Sequence, residues 1–113
     1  MKMYQYKATL NRIIDGDTID VDIDLGFNVK IKQRVRLHGI NTPEVRTLDL
    51  EIKKKGLEAT DYLKKILPKE FIIETILNKR GKYGRVLGIL WDKEININKK
   101  MVEEGYAEEY RGK

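Results

Sequence analysis

The chain has no cysteine, and its 113 residues include two prolines and a single histidine. Without cysteine it forms no disulfide and offers no thiolate ligand to a metal ion. No stretch approaches the ~20 consecutive apolar residues of a membrane-spanning helix, so we expect no membrane partner. Internal repeats, low-complexity tracts and proline- or serine-rich linkers are also missing. The expected organisation is therefore one domain over residues 1–113.

The first ten residues contain no apolar core of the kind that a secretion signal requires. We therefore expect an intracellular protein, cytoplasmic or phage-encoded, although a secreted protein whose signal has been removed would have the same features. Lysine and arginine number 23 against 18 aspartates and glutamates, which gives a net charge of +5. This excess favours a polyanionic partner such as nucleic acid. Small basic domains with other functions are common, so charge alone does not identify the partner.

Alternating apolar and polar residues predict three consecutive β-strands in the first part of the chain. The first strand spans residues 4–10, the second runs from Ile19 to Leu25, and the third runs from Val29 to Leu37. Residues 15–17 form a turn between the first two strands, and the three residues 26–28 form a hairpin loop between the second and third.

The hairpin between the second and third strands has one register that satisfies both of its faces. A three-residue loop pairs Leu25 with Val29, Ile23 with Ile31 and Ile19 with Val35. The same register puts acids opposite bases in three pairs: Asp24 with Lys30, Asp22 with Lys32 and Asp20 with Arg34. Opposite-charge pairs stabilise a sheet, whereas a slip by one residue would turn charges towards the core. We therefore interpret these six charges as structural.

The second half of the sequence predicts two helices and two further strands. Apolar positions 59, 62, 63, 66 and 67 share one face of a helix that ends before Pro68. Strands are predicted at 71–77 and 86–91, and Asn98 is expected to cap a short helix that ends at Gly105. The sequence thus predicts a mainly β fold with α, a five-stranded OB-fold barrel with a helix between strands 3 and 4 and a short C-terminal helix.

Three short segments concentrate polar residues of the kind found in active sites, namely residues 15–18 (Asp-Gly-Asp-Thr), 36–44 and 82–85 (Lys-Tyr-Gly-Arg). Each alone has an ordinary structural explanation, as a turn, a strand end or a basic loop. Together, in this order and spacing, they resemble the staphylococcal nuclease (thermonuclease) family from residue 13 to about residue 106. The matching pieces are Ile14–Thr18, Val35–Leu37, Asn41–Glu44, Gly56–Ala59, Lys82–Arg85 and Asn98–Ala107.

The resemblance implies a site for one calcium ion. Asp17, the Asn41 side chain and the Thr42 backbone carbonyl match the family's direct ligands, and Asp15 matches a residue that holds a metal-bound water. Such oxygen ligands suit calcium, which is a hard cation. The best-known members have a second ligand aspartate at the position of Asn41, so we expect this chain to need more calcium than they do.

The resemblance also implies the catalytic groups. Glu44 matches the residue long assigned as general base for the attacking water, and Arg36 and Arg85 match the two arginines that grip the scissile phosphate. A guanidinium group bonds two phosphate oxygens at once and stabilises the extra negative charge of the transition state. The family cleaves the bond to the 5′ oxygen and leaves a 3′-phosphate. Three residues match nucleic-acid-binding positions: Lys82, Tyr83 and, more loosely, Tyr110.

The resemblance therefore implies a calcium-dependent nuclease that hydrolyses DNA, RNA or both with low sequence specificity. We expect it to be monomeric and to act on single-stranded or frayed nucleic acid. The alternative is a catalytically weak or inactive nuclease-like OB-fold module that only binds single-stranded nucleic acid, and Asn41 is the one residue that favours it. The acids and arginines at positions 15, 17, 36, 44 and 85 favour the enzyme, and a plain OB-fold adaptor would leave them unexplained. His38 is interpreted as structural.

Overall fold

A computed structural model of the chain describes residues 3–76 and 86–110. Within these residues the backbone forms strands and helices in the order β1 (Met3–Asp15), β2 (Thr18–Gly26), β3 (Val29–Leu37), β4 (Ile40–Asn41), α1 (Leu50–Ile66), β5 (Glu70–Ile76), β6 (Val86–Asp92), β7 (Ile95–Asn96), α2 (Ile97–Glu103) and β8 (Glu108–Glu109). Neither α1 nor any other helix in this part of the chain is long and apolar enough to cross a membrane.

The five longer strands close into a barrel around the hydrophobic core. They are hydrogen-bonded in the order β3-β2-β1-β5-β6, and parallel pairing of β3 with β6, which sets Val35 beside Val86, closes the ring. Helix α1 connects the third and fourth strands of this barrel, so the predicted OB-fold barrel is confirmed. The largest fully buried side chains of this core are Ile19, Val21, Val35, Leu37, Leu63, Ile73, Leu90, Ile97 and Met101.

The β2–β3 hairpin has the predicted register except at its tip. As predicted, Ile23 faces Ile31, Asp24 faces Lys30, Asp22 faces Lys32, Asp20 faces Arg34 and Ile19 faces Val35. The predicted pairing of Leu25 with Val29 is wrong, because Gly26 pairs with Val29 and Leu25 is accommodated by a bulge. Phe27 and Asn28 have φ angles of 55° and 62°. A two-residue turn with positive φ at both positions matches the twist of the two strands, whereas a turn of type I or II would splay them.

The two ends of helix α1 are set by residues that flank it in the sequence. The Asp49 side chain accepts hydrogen bonds from the backbone N–H groups of Glu51 and Ile52, at 3.0 and 3.3 Å, and so caps the N-terminus. The helix ends at Ile66, because Pro68 disfavours a helical conformation in the residue before it. The predicted apolar face is the buried one, so this helix packs against the barrel as expected.

Helix α2 corrects one prediction about its cap. The cap is Asn96, whose side chain accepts a hydrogen bond from the backbone N–H of Lys99 at 3.1 Å. Asn98 is instead buried, and its amide bonds three backbone groups: the N–H of Leu90 and the carbonyls of His38 and Gly88. Asn98 therefore ties α2 to β6 and to the residue that follows β3.

Helix α2 is terminated by Gly105, as the sequence predicts. Gly105 has a φ of +83°, and the N–H of Tyr106 donates to the carbonyl of Met101 at 2.9 Å. This left-handed glycine cap reverses the chain and leads into β8, which pairs with β4. Strands β4, β7 and β8 have two residues each and are too short for an alternating pattern, so they were not predicted.

Candidate active site

The turn between β1 and β2 holds two aspartates close together. The backbone N–H of Asp17 donates to Oδ1 of Asp15 at 3.1 Å, and the hydroxyl of Thr18 donates to Oδ1 of Asp17 at 3.1 Å. A Cβ at Gly16 would lie 2.9 Å from the side chains of Ala59 and Thr42. The glycine therefore allows this turn to lie directly against α1 and against the segment that follows β4.

Asp17 connects three segments that are distant in sequence. Its Oδ2 accepts a hydrogen bond from the backbone N–H of Thr42 at 3.1 Å and lies 2.8 Å from Nη1 of Arg36. Its backbone carbonyl accepts from the N–H of Leu37 at 2.8 Å. Asp17 is 8% exposed, so these contacts replace most of its hydration and fix its carboxylate in place.

Arg36 lies at the end of β3 and contacts the same group of residues. Its Nη2 donates to the carbonyl of Ile40 at 3.1 Å and to Oδ1 of Asn41 at 3.3 Å. Its buried Nη1 forms the ion pair with Asp17 but makes no well-directed hydrogen bond to any described group. The guanidinium is therefore oriented by its surroundings while one of its nitrogens keeps unused donor capacity.

The ring of Tyr110 lies beside Arg36, with 5.7 Å between the ring centroid and Cζ. The backbone N–H of Tyr110 donates to the carbonyl of Gly39 at 2.8 Å, and the adjoining β4–β8 pairing holds this segment against Asn41. The ring is half-exposed. An exposed aromatic face next to a guanidinium group is a suitable surface for stacking a nucleobase.

Glu44 and Asp15 line one cleft of about 530 Å³, together with Thr18, Arg34 and Arg46. Glu44 is exposed to solvent in this cleft. Its backbone runs very close to α1, because a Cβ at Gly56 would lie 2.8 Å from the carbonyl oxygen of Glu44. Gly56 thus permits the helix to support the segment that carries Glu44.

Burial raises the pKa of the Asp15 carboxyl to about 6, and the neighbouring Asp17 adds to this shift. Burial also acts to raise the pKa of Asp17, but the hydrogen bond with Asp15, the charge of Arg36 and the Thr42 N–H outweigh it, so that the pKa lies below its ordinary value. The ionised Asp17 thus opposes ionisation of Asp15, whereas a protonated Asp15 stabilises the ionised form of Asp17. A bound cation would remove this repulsion.

The groups gathered around Asp17 fit a hard cation by their chemistry. Among the residues that the structure describes, no cluster of three or more histidine, aspartate or glutamate side chains is arranged to hold a metal ion. The groups that do lie together are the carboxylates of Asp15 and Asp17 and the amide oxygen of Asn41, beside the backbone of Thr42. All are oxygen donors, as calcium prefers.

Most residues proposed from the sequence lie together in this region. The structure gathers Asp15, Asp17, Arg36, Asn41, Thr42, Glu44 and Tyr110. Lys82, Tyr83 and Arg85, like the basic loop that contains them, lie outside the described residues. Sequence reasoning missed Arg46, which lines the cleft, although its position two residues after Glu44 is a signal that could have been used.

This chain is similar to one family model and to several known proteins. The model of the family described as staphylococcal nuclease homologue matches residues 34–113. The thermonuclease of Staphylococcus hyicus is 34% identical over 97 residues, which cover 85% of this chain and 54% of that protein. The thermonuclease of Staphylococcus intermedius is 35% identical over 99 residues, which cover 87% of this chain and 56% of that protein. Endonuclease YhcR of Bacillus subtilis is 30% identical over 114 residues, which cover 94% of this chain and 9% of that protein. The chain spans about half the length of the two thermonucleases.

Proposed function

This chain belongs to the staphylococcal nuclease homologue family, and on that basis we propose that it is a calcium-dependent nuclease that hydrolyses phosphodiester bonds of DNA, RNA or both. The observation that carries the proposal is the convergence on Asp17 of an arginine, a threonine N–H and a second carboxyl group. Relatives named as thermonucleases and as an endonuclease support it. We further propose that residues 1–113 act as one domain.

The calcium ion would be held by oxygen atoms at the centre of this group. The direct ligands would be the Asp17 carboxylate, the Asn41 side-chain oxygen and the Thr42 backbone carbonyl, and Asp15 would hold a water molecule on the ion. When bound, calcium supplies positive charge that offsets the negative charge of the phosphate and relieves the repulsion between the two carboxylates. Aspartate at the position of Asn41 would add a charge that this chain lacks.

Arg36 would bind the scissile phosphate. Its guanidinium is already oriented by Asn41 and by the carbonyl of Ile40, so little conformational freedom is lost when an anion binds. Arg36 would donate hydrogen bonds to phosphate oxygens as negative charge builds up in the transition state. Arg85 would contact the same phosphate, which makes the pair of arginines the main electrostatic contribution of the chain itself.

Glu44 would act as general base. It lies in the same cleft as Asp15 and is open to solvent, so a water molecule can enter between its carboxylate and a bound phosphate. Glu44 takes a proton from this water as the water attacks phosphorus. The bond to the 5′ oxygen breaks, and this oxygen takes up a proton from solvent while Glu44 returns its own proton to solvent. The products carry a 3′-phosphate and a 5′-hydroxyl.

The substrate would be single-stranded or frayed nucleic acid, read with little sequence preference. Tyr110 beside Arg36 offers an aromatic face to one base, and Lys82 and Tyr83 would add a second binding contact. Stacking requires an unpaired base, but every base has a face that can stack. We also expect a monomer and an intracellular location, which sedimentation and cell fractionation measure.

The test is cleavage of an end-labelled oligonucleotide with calcium and then with excess chelator. We expect cleavage only with calcium, products that end in 3′-phosphate, and loss of cleavage in the matched variant Glu44→Gln, which keeps the shape of the side chain. Cleavage that persists in chelator, or products with 5′-phosphate ends, would contradict the proposal. If the native protein and Glu44→Gln both bind the oligonucleotide but neither cleaves it with calcium, the chain is instead the alternative, a nuclease-like module that only binds.

A further inference from the structure

The outer face of β3 carries a row of cations that leads away from the candidate active site. Lys30, Lys32 and Arg34 occupy alternate positions of this strand, and Arg36 continues the row at the site itself. Alternate residues of a strand lie on one face, about 6.6 Å apart. The three residues at 30, 32 and 34 are exposed and are called the β3 row below.

Only one of the three acids opposite the β3 row forms an ion pair with the residue that it faces. Arg34 donates two hydrogen bonds to the Asp20 carboxylate in a bidentate ion pair, at 2.8 and 3.1 Å. Asp22 and Asp24 face Lys32 and Lys30 across the hairpin, but each carboxylate bonds another group. The Asn11 amide donates to Asp22 at 2.9 Å, and the N–H of Gly26 donates to Asp24 at 2.8 Å.

Two lysines of the β3 row are consequently available to an external anion. In residues 3–76 and 86–110, neither Lys30 nor Lys32 forms an ion pair. In the pair of Arg34 with Asp20 the side chains are 49% and 27% exposed, and ion pairs in contact with solvent stabilise a fold little. Exchange of Asp20 for a phosphate group would therefore cost the fold little.

The β3 row is continuous with the candidate active site. Arg34 lines the cleft that contains Asp15 and Glu44. It also lines a second depression of about 490 Å³, together with Lys32, Arg12 and Asp20. That depression has three cationic side chains against one carboxylate. A strand of phosphates bound at Arg36 therefore meets further cations as it passes Arg34.

We propose that the β3 row binds the phosphodiester backbone of the single strand that flanks the scissile bond, which extends the proposed nuclease site by several nucleotides. The inference rests on the proposed function for its substrate. The interval between neighbouring cations is of the order of one nucleotide step in an extended strand, so successive phosphates can meet successive side chains. Two of the three cations are lysines, which bind phosphate as point charges and carry no base preference.

The test measures binding in chelator, where no cleavage occurs, with the double variant Lys30→Gln/Lys32→Gln. The probes are a fluorescently labelled oligothymidylate of about 16 nucleotides, the upper end of the site size of an OB fold, and a labelled thymidylate dinucleotide. Each single-strand phosphate contact contributes about 0.7 to the slope of log affinity against log salt. Losing two contacts should reduce the slope for the longer probe by about 1.4. At ~0.1 M salt this corresponds to roughly 25-fold weaker binding, if the two affinities coincide at about 1 M salt.

The matched control is Lys64→Gln/Lys65→Gln, which removes the same charge from the last turn of α1. We expect this control to bind both probes like the native protein, and the β3 variant to bind the dinucleotide like the native protein. Equal salt slopes for the native protein and the β3 variant would overturn the proposal, and so would an equal effect in the control. Because binding is measured without calcium, absence of nuclease activity would refute the proposed function but leave this result readable.

Discussion

Asn41→Asp tests the proposed calcium site most directly, because it adds one charge to one proposed ligand and leaves its size almost unchanged. At an effective dielectric of about 20, two unit charges about 4 Å apart interact by about 4 kcal/mol, and a divalent ion doubles this value. Asn41 is exposed, so solvent screens the new charge. Desolvation and repulsion from Asp15 and Asp17 offset more of it, which leaves an expected gain of about 1–2 kcal/mol in calcium binding.

The contacts of Asn41 reduce this expectation further. Its Oδ1 lies 3.3 Å from Nη2 of Arg36, so the new carboxylate would form an ion pair with Arg36 in the calcium-free protein. An exposed pair of this kind contributes up to about 1 kcal/mol, and part of that is lost when the carboxylate turns to the ion. We therefore expect a net gain of about 1 kcal/mol, or roughly fivefold tighter binding.

The assay is a calcium titration of the cleavage rate, repeated as a calcium titration of thermal stability without nucleic acid. Asn28→Asp is the matched control, because it adds the same charge at the hairpin tip, where Asn28 has a φ of 62° that aspartate tolerates. The half-saturating calcium concentration should fall in Asn41→Asp and stay unchanged in Asn28→Asp. If it does not fall, Asn41 is not a ligand and the proposed metal site is misplaced.

Three further predictions concern single residues. Arg85→Ala should lower kcat by roughly 10²–10³ and change the free energy of unfolding by less than about 1 kcal/mol; a variant that fails to fold would refute the phosphate-binding role. Gly56→Ala should destabilise the fold by about 1–3 kcal/mol in thermal melting and reduce cleavage, because its Cβ would lie 2.7 Å from the Pro43 carbonyl oxygen. Stability equal to the native protein would show that this close approach relaxes freely. Asn98→Ala should cost about 2–3 kcal/mol because it leaves buried backbone groups unpaired, whereas Asn96→Ala should cost about 1 kcal/mol for a lost cap. The reverse order of melting temperatures would contradict the reassignment of the cap.

The composition of the candidate site was predictable because its parts are short and local. Asp15 and Asp17 stand in one turn, and Asn41 to Glu44 follow one strand end, so each piece is visible as a motif. The motifs do not show where they lie relative to one another in the folded protein. Asp17 reaches Thr42 only because Gly16 lets the turn lie against α1, and a close packing of that kind depends on every element around it.

The two asparagines near α2 illustrate a second limit. Asn96 and Asn98 are both good cap residues, and nothing local distinguishes them. The choice depends on β7, which ends at Asn96, and on the backbone groups of β6 and His38 that need a buried partner. Those groups come from distant parts of the chain, so only the folded protein decides which asparagine caps the helix.

The hairpin separates what the sequence alone determined from what the tertiary structure decided. Alternation of apolar and charged residues determined the register from Asp24–Lys30 to Ile19–Val35, because a one-residue slip would bury charge along the whole strand. The same alternation could not decide which charges form pairs. Asn11 comes from β1 and Gly26 follows the bulge at Leu25, and each donates a hydrogen bond to one of the acids of β2. The alternation of apolar and charged residues determines which residues lie opposite each other in the hairpin. The partner of each charge depends instead on which donors the neighbouring strands bring within hydrogen-bond distance.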